Sequence, residues 1–300
     1  MSRRSNRSQM LYTLGFLFLL VSAFAVFFTG VKVGADKTEA KYVTKNAETQ
    51  SAEGGAYSQQ ELVNYYHNVF SPYREFKAAW NGQLNRLSGS LTSRERASVL
   101  KTMAELADKS YSEVTRESLF SDSPLLEQGQ LNSLKSIRLF AEAAKAARDG
   151  GAASQSADAL GKGELSVGAV KYGLLGQKNY YDAMVVWGGR NNAQIPGSYK
   201  ASRTISLKEW SSMPLLLKNA ISADMMLNRK QFESYEPQDL SAKIDDLIHS
   251  GAAQSLSVSS AQKAFSLLVS TGALQENDYS RVRVHYYSSE VLPQLPFFYE

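Results

Sequence analysis

Met10–Val31 holds 22 residues without one charged side chain. No other feature narrows the possible folds of the chain as much. A helix rises 1.5 Å per residue, so this run would be about 33 Å long, close to the roughly 30 Å hydrocarbon core of a bilayer. A helix also satisfies its own backbone hydrogen bonds, which lipid requires of any spanning segment. Arg3, Arg4 and Arg7 precede the run, and only Lys32 follows it before the mixed charges of Asp36, Lys37 and Glu39. The positive-inside rule then predicts a cytoplasmic stretch at 1–9, a signal-anchor transmembrane helix at 10–33 and the remainder outside. The alternative is a cleaved signal peptide. Val33-Gly34-Ala35 offers small residues at cleavage spacing, and a cut after Ala35 would release a secreted chain. The expected location is the cell membrane, single-pass, or the exterior if the segment is cut.

The charge balance sharpens this picture. The formal net charge of +4 comes from 33 basic and 29 acidic residues. Four of the basic residues are Arg3, Arg4, Arg7 and Lys32, and no acidic residue lies before Asp36. The part beyond is therefore formally neutral. A nucleic-acid partner is not expected, because such binding depends on neutralising phosphates. The chain has no cysteine, which excludes disulfides and thiolate chemistry. About 240 residues are nevertheless enough to bury a core without covalent staples.

Beyond the apolar run, residues 34–57 are polar, end in glycines and read as a flexible tether. Helix-start signals follow in succession. Ser58-x-x-Glu61, Thr92-x-x-Glu95, Ser110-x-x-Glu113 and Ser206-x-x-Glu209 have capping-box spacing. Ser71-Pro72 and Ser123-Pro124 place proline at a first helical position, and Pro214 and Pro237 precede further apolar stripes. Gly150-Gly151, Gly251 and Gly272 read as stops. These signals divide the chain into a first helical half at 58–149, a linker at 150–163 and a second half at 164–275. Leu165, Val167, Val170, Leu174 and Leu175 read as one helix interrupted by glycines, Asn179–Trp187 fits another helix or a short strand, and Gly188–Asn192 with Pro196-Gly197 mark a loop. In the tail, 276–300, Arg281–Tyr286 alternates with period two like a strand, and Pro293 and Pro296 argue against helix. That tail is expected to be extended, either pinned on the helices by Phe297, Phe298 and Tyr299 or open to a partner's edge. The expected fold is all-α: a transmembrane helix, an extracytoplasmic multi-helix domain and an extended C-terminal tail.

Catalytic signatures are weak. Ser98-x-x-Lys101 and Ser260-x-x-Lys263 match the spacing by which a lysine could activate a serine, but the accompanying motifs of penicillin-recognising enzymes are missing. His67, His249 and His285 are far apart and have no cysteine to assist them, so neither metal nor cofactor is expected. The tyrosine pairs Tyr65-Tyr66, Tyr180-Tyr181 and Tyr286-Tyr287 read as core rings. Adjacent helical residues diverge by about 100°, which would also let one ring of a pair reach a rim. Tyr180, Tyr181, Trp187 and Arg190 form the most binding-like group, because they abut the glycine-rich loop from Gly188 to Pro196. The functional expectation is a membrane-anchored scaffold or accessory subunit of a bacterial cell envelope, working by binding another envelope protein rather than by catalysis. The alternative is a domain that binds or cleaves cell-wall glycan.

Overall fold

The computed structural model describes residues 55–116, 122–150, 156–197, 199 and 204–299. Ser58 accepts a hydrogen bond from the Glu61 amide at 3.2 Å and starts α1, Gln59–Tyr65. The Glu61 carboxylate turns outward from this helix and accepts the Ser123 hydroxyl at 2.5 Å. Ser123 Oγ in turn accepts the Tyr57 amide at 2.7 Å, and the Tyr57 hydroxyl accepts the Leu125 amide at 3.1 Å. Ser58 caps α1 as expected, but Glu61 bonds Ser123 instead of closing the capping box, and the Tyr57 hydroxyl satisfies the Leu125 amide at the next helix start.

The sequence predicts a fresh start at Ser71-Pro72. Instead α1 continues through one π-helical turn, Tyr66–Phe70, into α2, Ser71–Leu87. Pro72 has no amide and its ring crowds the carbonyl four residues back. Widening the turn relieves that crowding, and Ser71 donates to the Tyr66 carbonyl five residues back. Thr92 and Glu95 form both halves of the expected capping box at the start of α3, Ser93–Thr115. Ser110 opens nothing; it is a buried interior residue of α3, which meets no proline or glycine there.

α4, Pro124–Asp149, and α6, Glu164–Asn191, share the most extensive helix contact, with the short α5, Ala157–Lys162, before α6. Glycines do not interrupt α6; they let neighbours approach it. A Cβ on Gly176 would lie 2.8 Å from Ser133 Oγ and 3.0 Å from the Gly129 carbonyl, both on α4. A Cβ on Gly173 would lie 2.0 Å from the Tyr73 hydroxyl. Tyr73 uses that space to reach Ser136 Oγ at 2.7 Å, and Ser136 donates to the Ala169 carbonyl at 2.7 Å. The Asn179–Trp187 stretch lies wholly within α6 and is helix, not strand.

Ser206 caps α7, Leu207–Ser211, and Pro214 leads into α8, Leu215–Arg229. α9, Pro237–His249, is followed by Gly251 at φ 73, and α11, Ala261–Thr271, by Gly272 at φ 63, with α10, Ala252–Ser255, between. Both glycines occupy the left-handed region expected of helix stops. Trp210, Met226, Ile244 and Phe265 pack together as the core of this half.

The tail corrects the expectation of an extended segment. Asp278–Tyr286 is helix α12, and Pro296–Tyr299 is a short α13. The strand-like alternation is local, whereas Tyr279, Val282 and Tyr286 with Tyr287 keep a helical stripe that packs on the core, leaving Val284 exposed. Phe297 and Phe298 are buried, with Phe297 against Phe70 at 5.6 Å, while Tyr299 is exposed. Gly55–Glu300 forms one compact unit.

The all-α class holds; among the described residues the single β pairing is a bridge between Ser206 and Ser260. The membrane expectation is not supported by the structure. Among the described residues no helix is long and apolar enough to cross a membrane. α6 has the length, yet it carries Lys171, Lys178, Asp182 and Arg190. The span predicted at 10–33 lies outside the described residues, as do the cytoplasmic stretch and most of the tether. The transmembrane signal anchor, the single-pass location and the membrane partner therefore have no support in the structure.

Candidate functional site

The group chosen from sequence is split by helix geometry. Tyr180 and Tyr181 are fully buried on α6. The Tyr180 ring lies 4.6 Å from that of Tyr65, and its hydroxyl donates to the Leu62 carbonyl at 2.9 Å. The Tyr181 hydroxyl donates to Gln238 Oε1. Burial pushes both phenols well above their ordinary range, and neither presents a face to a ligand. Trp187 is half-buried against the core. Arg190 is exposed, donates to the Ala56 carbonyl and stacks over the Tyr57 ring at 6.0 Å, closing the N-terminal end of the domain onto α6.

Two buried ion clusters organise the interior. Asp245 on α9 accepts Lys218 Nζ at 2.8 Å, Trp210 Nε1 at 2.9 Å and the Tyr287 hydroxyl at 2.6 Å. Every charge there has a partner, as burial requires. The second cluster centres on Glu236, which accepts Lys77 Nζ at 2.8 Å and Gln177 Nε2 at 2.5 Å. Asp239 joins it through the Glu236 amide at 2.9 Å and the Tyr279 amide at 3.1 Å. Burial pushes Asp239 up to about 7; its two amide donors oppose the rise, and the Glu236 and Asp278 carboxylates add to it. Both clusters tie helices together and expose no reactive atom.

The open concavity lies on a different face of α6. A groove of about 440 Å³ runs between α6 and α8. Lys178, Asp182, Val185 and Val186 line it from α6, at i, i+4, i+7 and i+8. Ala220, Ile221 and Asp224 face them from α8, with Leu125, Gly197 and Tyr199 at the ends. Lys178 Nζ meets Asp182 Oδ2 at 2.5 Å, and Asp224 accepts Asn228 Nδ2 at 3.0 Å. Partial burial raises the Asp182 carboxyl, Lys178 opposes the rise, and Asp224 adds to it. The lining holds two carboxylates and one ammonium against apolar walls, so it favours a cation carrying an apolar body.

The sequence reading missed Lys178, Asp182 and Asp224. Their signal was a pair of charges spaced i, i+4 next to the Val185-Val186 stripe, with its counterpart on a helix more than forty residues away. Ser98 and Lys101 are exposed, and Lys101 sits 3.6 Å from Glu105. Ser260 caps α11 by accepting the Lys263 amide at 3.3 Å. The histidines are exposed, and no group of three or more potential metal ligands occurs among the described residues.

Comparison with protein-family models, with curated proteins and with solved structures found no match. Among the described residues the helical architecture has no sheet of a glycan-binding or glycan-cleaving kind. Neither that alternative nor the membrane anchor on which the envelope scaffold rested has support among the described residues.

Proposed function

We propose that residues 55–299 form a small-molecule-binding domain whose site is the α6–α8 groove, and that its ligand is a monocation with an apolar body. The observation that carries this is the groove itself. Its 440 Å³ falls within the range of ligand sites, and its walls combine Val185, Val186, Ile221 and Leu125 with the Asp182–Asp224 pair. Lys178 offsets one carboxylate, leaving the other to a ligand's positive charge. The arrangement has no nucleophile–base pair, so it supports binding rather than turnover.

Calorimetric titration of the full chain with phenethylamine, phenylethanol and phenylpropionate tests the reading. Binding is expected in that order, with the carboxylate weakest. Ala220→Trp, which fills the groove, removes binding of the amine. Preference for the carboxylate, or amine binding that survives Ala220→Trp, sinks the proposal. The amine's charge also opposes Asp182 protonation. Its affinity therefore falls as pH drops through the raised Asp182 pKa, and Asp182→Asn flattens that dependence.

A further inference from the structure

The Glu236 cluster leaves one polar atom unaccounted for. Gln177 is buried, and its Oε1 has no hydrogen-bond partner. The amide cannot be turned to cure this, because Nε2 is held on the Glu236 carboxylate at 2.5 Å and a flip would set oxygen against oxygen. A buried acceptor left without a donor is costly, and native folds rarely leave one so. Gln177 borders a cavity of about 20 Å³ that Arg74, Lys77, Ser133, Gly176, Phe232 and Glu236 also line. That space accommodates one water-sized molecule.

The chemistry of the wall selects the occupant. Gln177 Oε1 requires a hydrogen-bond donor, and a halide has none to give. Lys77 and Arg74, at 2.8 Å and 3.5 Å from Glu236, repel a cation. What remains is a small neutral molecule that both donates and accepts. It can donate to Gln177 Oε1 and accept from the Lys77 ammonium, which has three protons to place. Ser133 Oγ donates to the Gly129 carbonyl at 3.0 Å and is hydrogen-bonded to the Tyr65 hydroxyl, so it is already engaged. We infer that a single water molecule is a fixed constituent of this fold, seated where α2, α4, α6 and the loop before α9 meet. This is independent of the groove, which lies on another face of α6.

Two measurements on the full chain test it. A crystal structure at a resolution that shows ordered water is expected to contain one peak within hydrogen-bond distance of Gln177 Oε1, unchanged by soaking in bromide. An empty space, an anomalous bromide signal at that position, or a protein donor swung onto Gln177 Oε1 would overturn the inference. In solution, oxygen-17 relaxation dispersion counts long-lived waters. Gln177→Met keeps the side-chain length and removes the acceptor, and is expected to lose one such water relative to the parent chain. An unchanged count in a folded variant contradicts the inference. If that variant does not fold, the electron density of the parent chain still decides the matter.

Discussion

Gly173→Ala and Gly82→Ala are the same chemical change in two long helices, and the structure gives them opposite signs. Gly82 sits on the exposed side of α2 with nothing within 4 Å of an added Cβ. There alanine contributes only its better helix propensity, worth about 0.5–1 kcal/mol of stabilisation. At Gly173 the same gain is opposed by contacts of 2.0 Å to the Tyr73 hydroxyl and 3.0 Å to Phe232 Cε2. Overpacking of this kind costs about 1–3 kcal/mol. Displacing Tyr73 also breaks its 2.7 Å bond to Ser136 and buries an unsatisfied hydroxyl, at about another 1–3 kcal/mol. The expected net effect of Gly173→Ala is a loss of roughly 1–5 kcal/mol. Urea denaturation of the full chain, followed by circular dichroism, reads both variants. Adding Tyr73→Phe to Gly173→Ala removes the clashing oxygen and should recover part of the loss, so the double-mutant cycle shows a positive coupling. Equal stability of Gly173→Ala and the parent chain, or no recovery in the double variant, would refute the account of how Tyr73 of α2 is seated against α6.

Lys218→Ala strands the buried Asp245 carboxylate and is expected to cost about 3–5 kcal/mol in the same assay. Asp239 supplies a pH signature. Its folded pKa of about 7 exceeds the ordinary aspartate value of 3.8, so the folded state holds a proton that the unfolded chain releases. Stability is therefore lost as pH rises from about 4 to 7, by on the order of 4 kcal/mol at most. Asp239→Asn should remove that slope, and a parent chain whose stability is flat or rises over this interval would contradict the assignment.

Much of the helix layout was readable because its signals are local. A cap at Ser58, a box at Thr92 and Glu95, and left-handed glycines at 251 and 272 each involve neighbours within a few residues. Reading failed where a distant residue decides. Glu61 and Ser123 abandon their own helices to bond each other across 62 positions. Arg281–Tyr286 alternates like a strand, yet Asp239 on α9 holds the Tyr279 amide and the core takes up Tyr279 and Tyr287, which makes helix the better use of the stripe. The spacing of Tyr180 and Tyr181 left room for one ring at a rim, but neighbours packed on both positions bury the two rings alike. The groove was invisible for a related reason: Asp182 and Asp224 meet only because α6 and α8 pack together.

Backbone chemical-shift mapping of the isotope-labelled full chain, titrated with phenethylamine, tests the binding account most directly. Saturable shifts are expected at Lys178, Asp182, Val186, Ile221 and Asp224, while Tyr180 and Tyr181 stay unperturbed. Shifts that centre on Trp187 and Arg190, or no saturable shifts at millimolar amine, would contradict it.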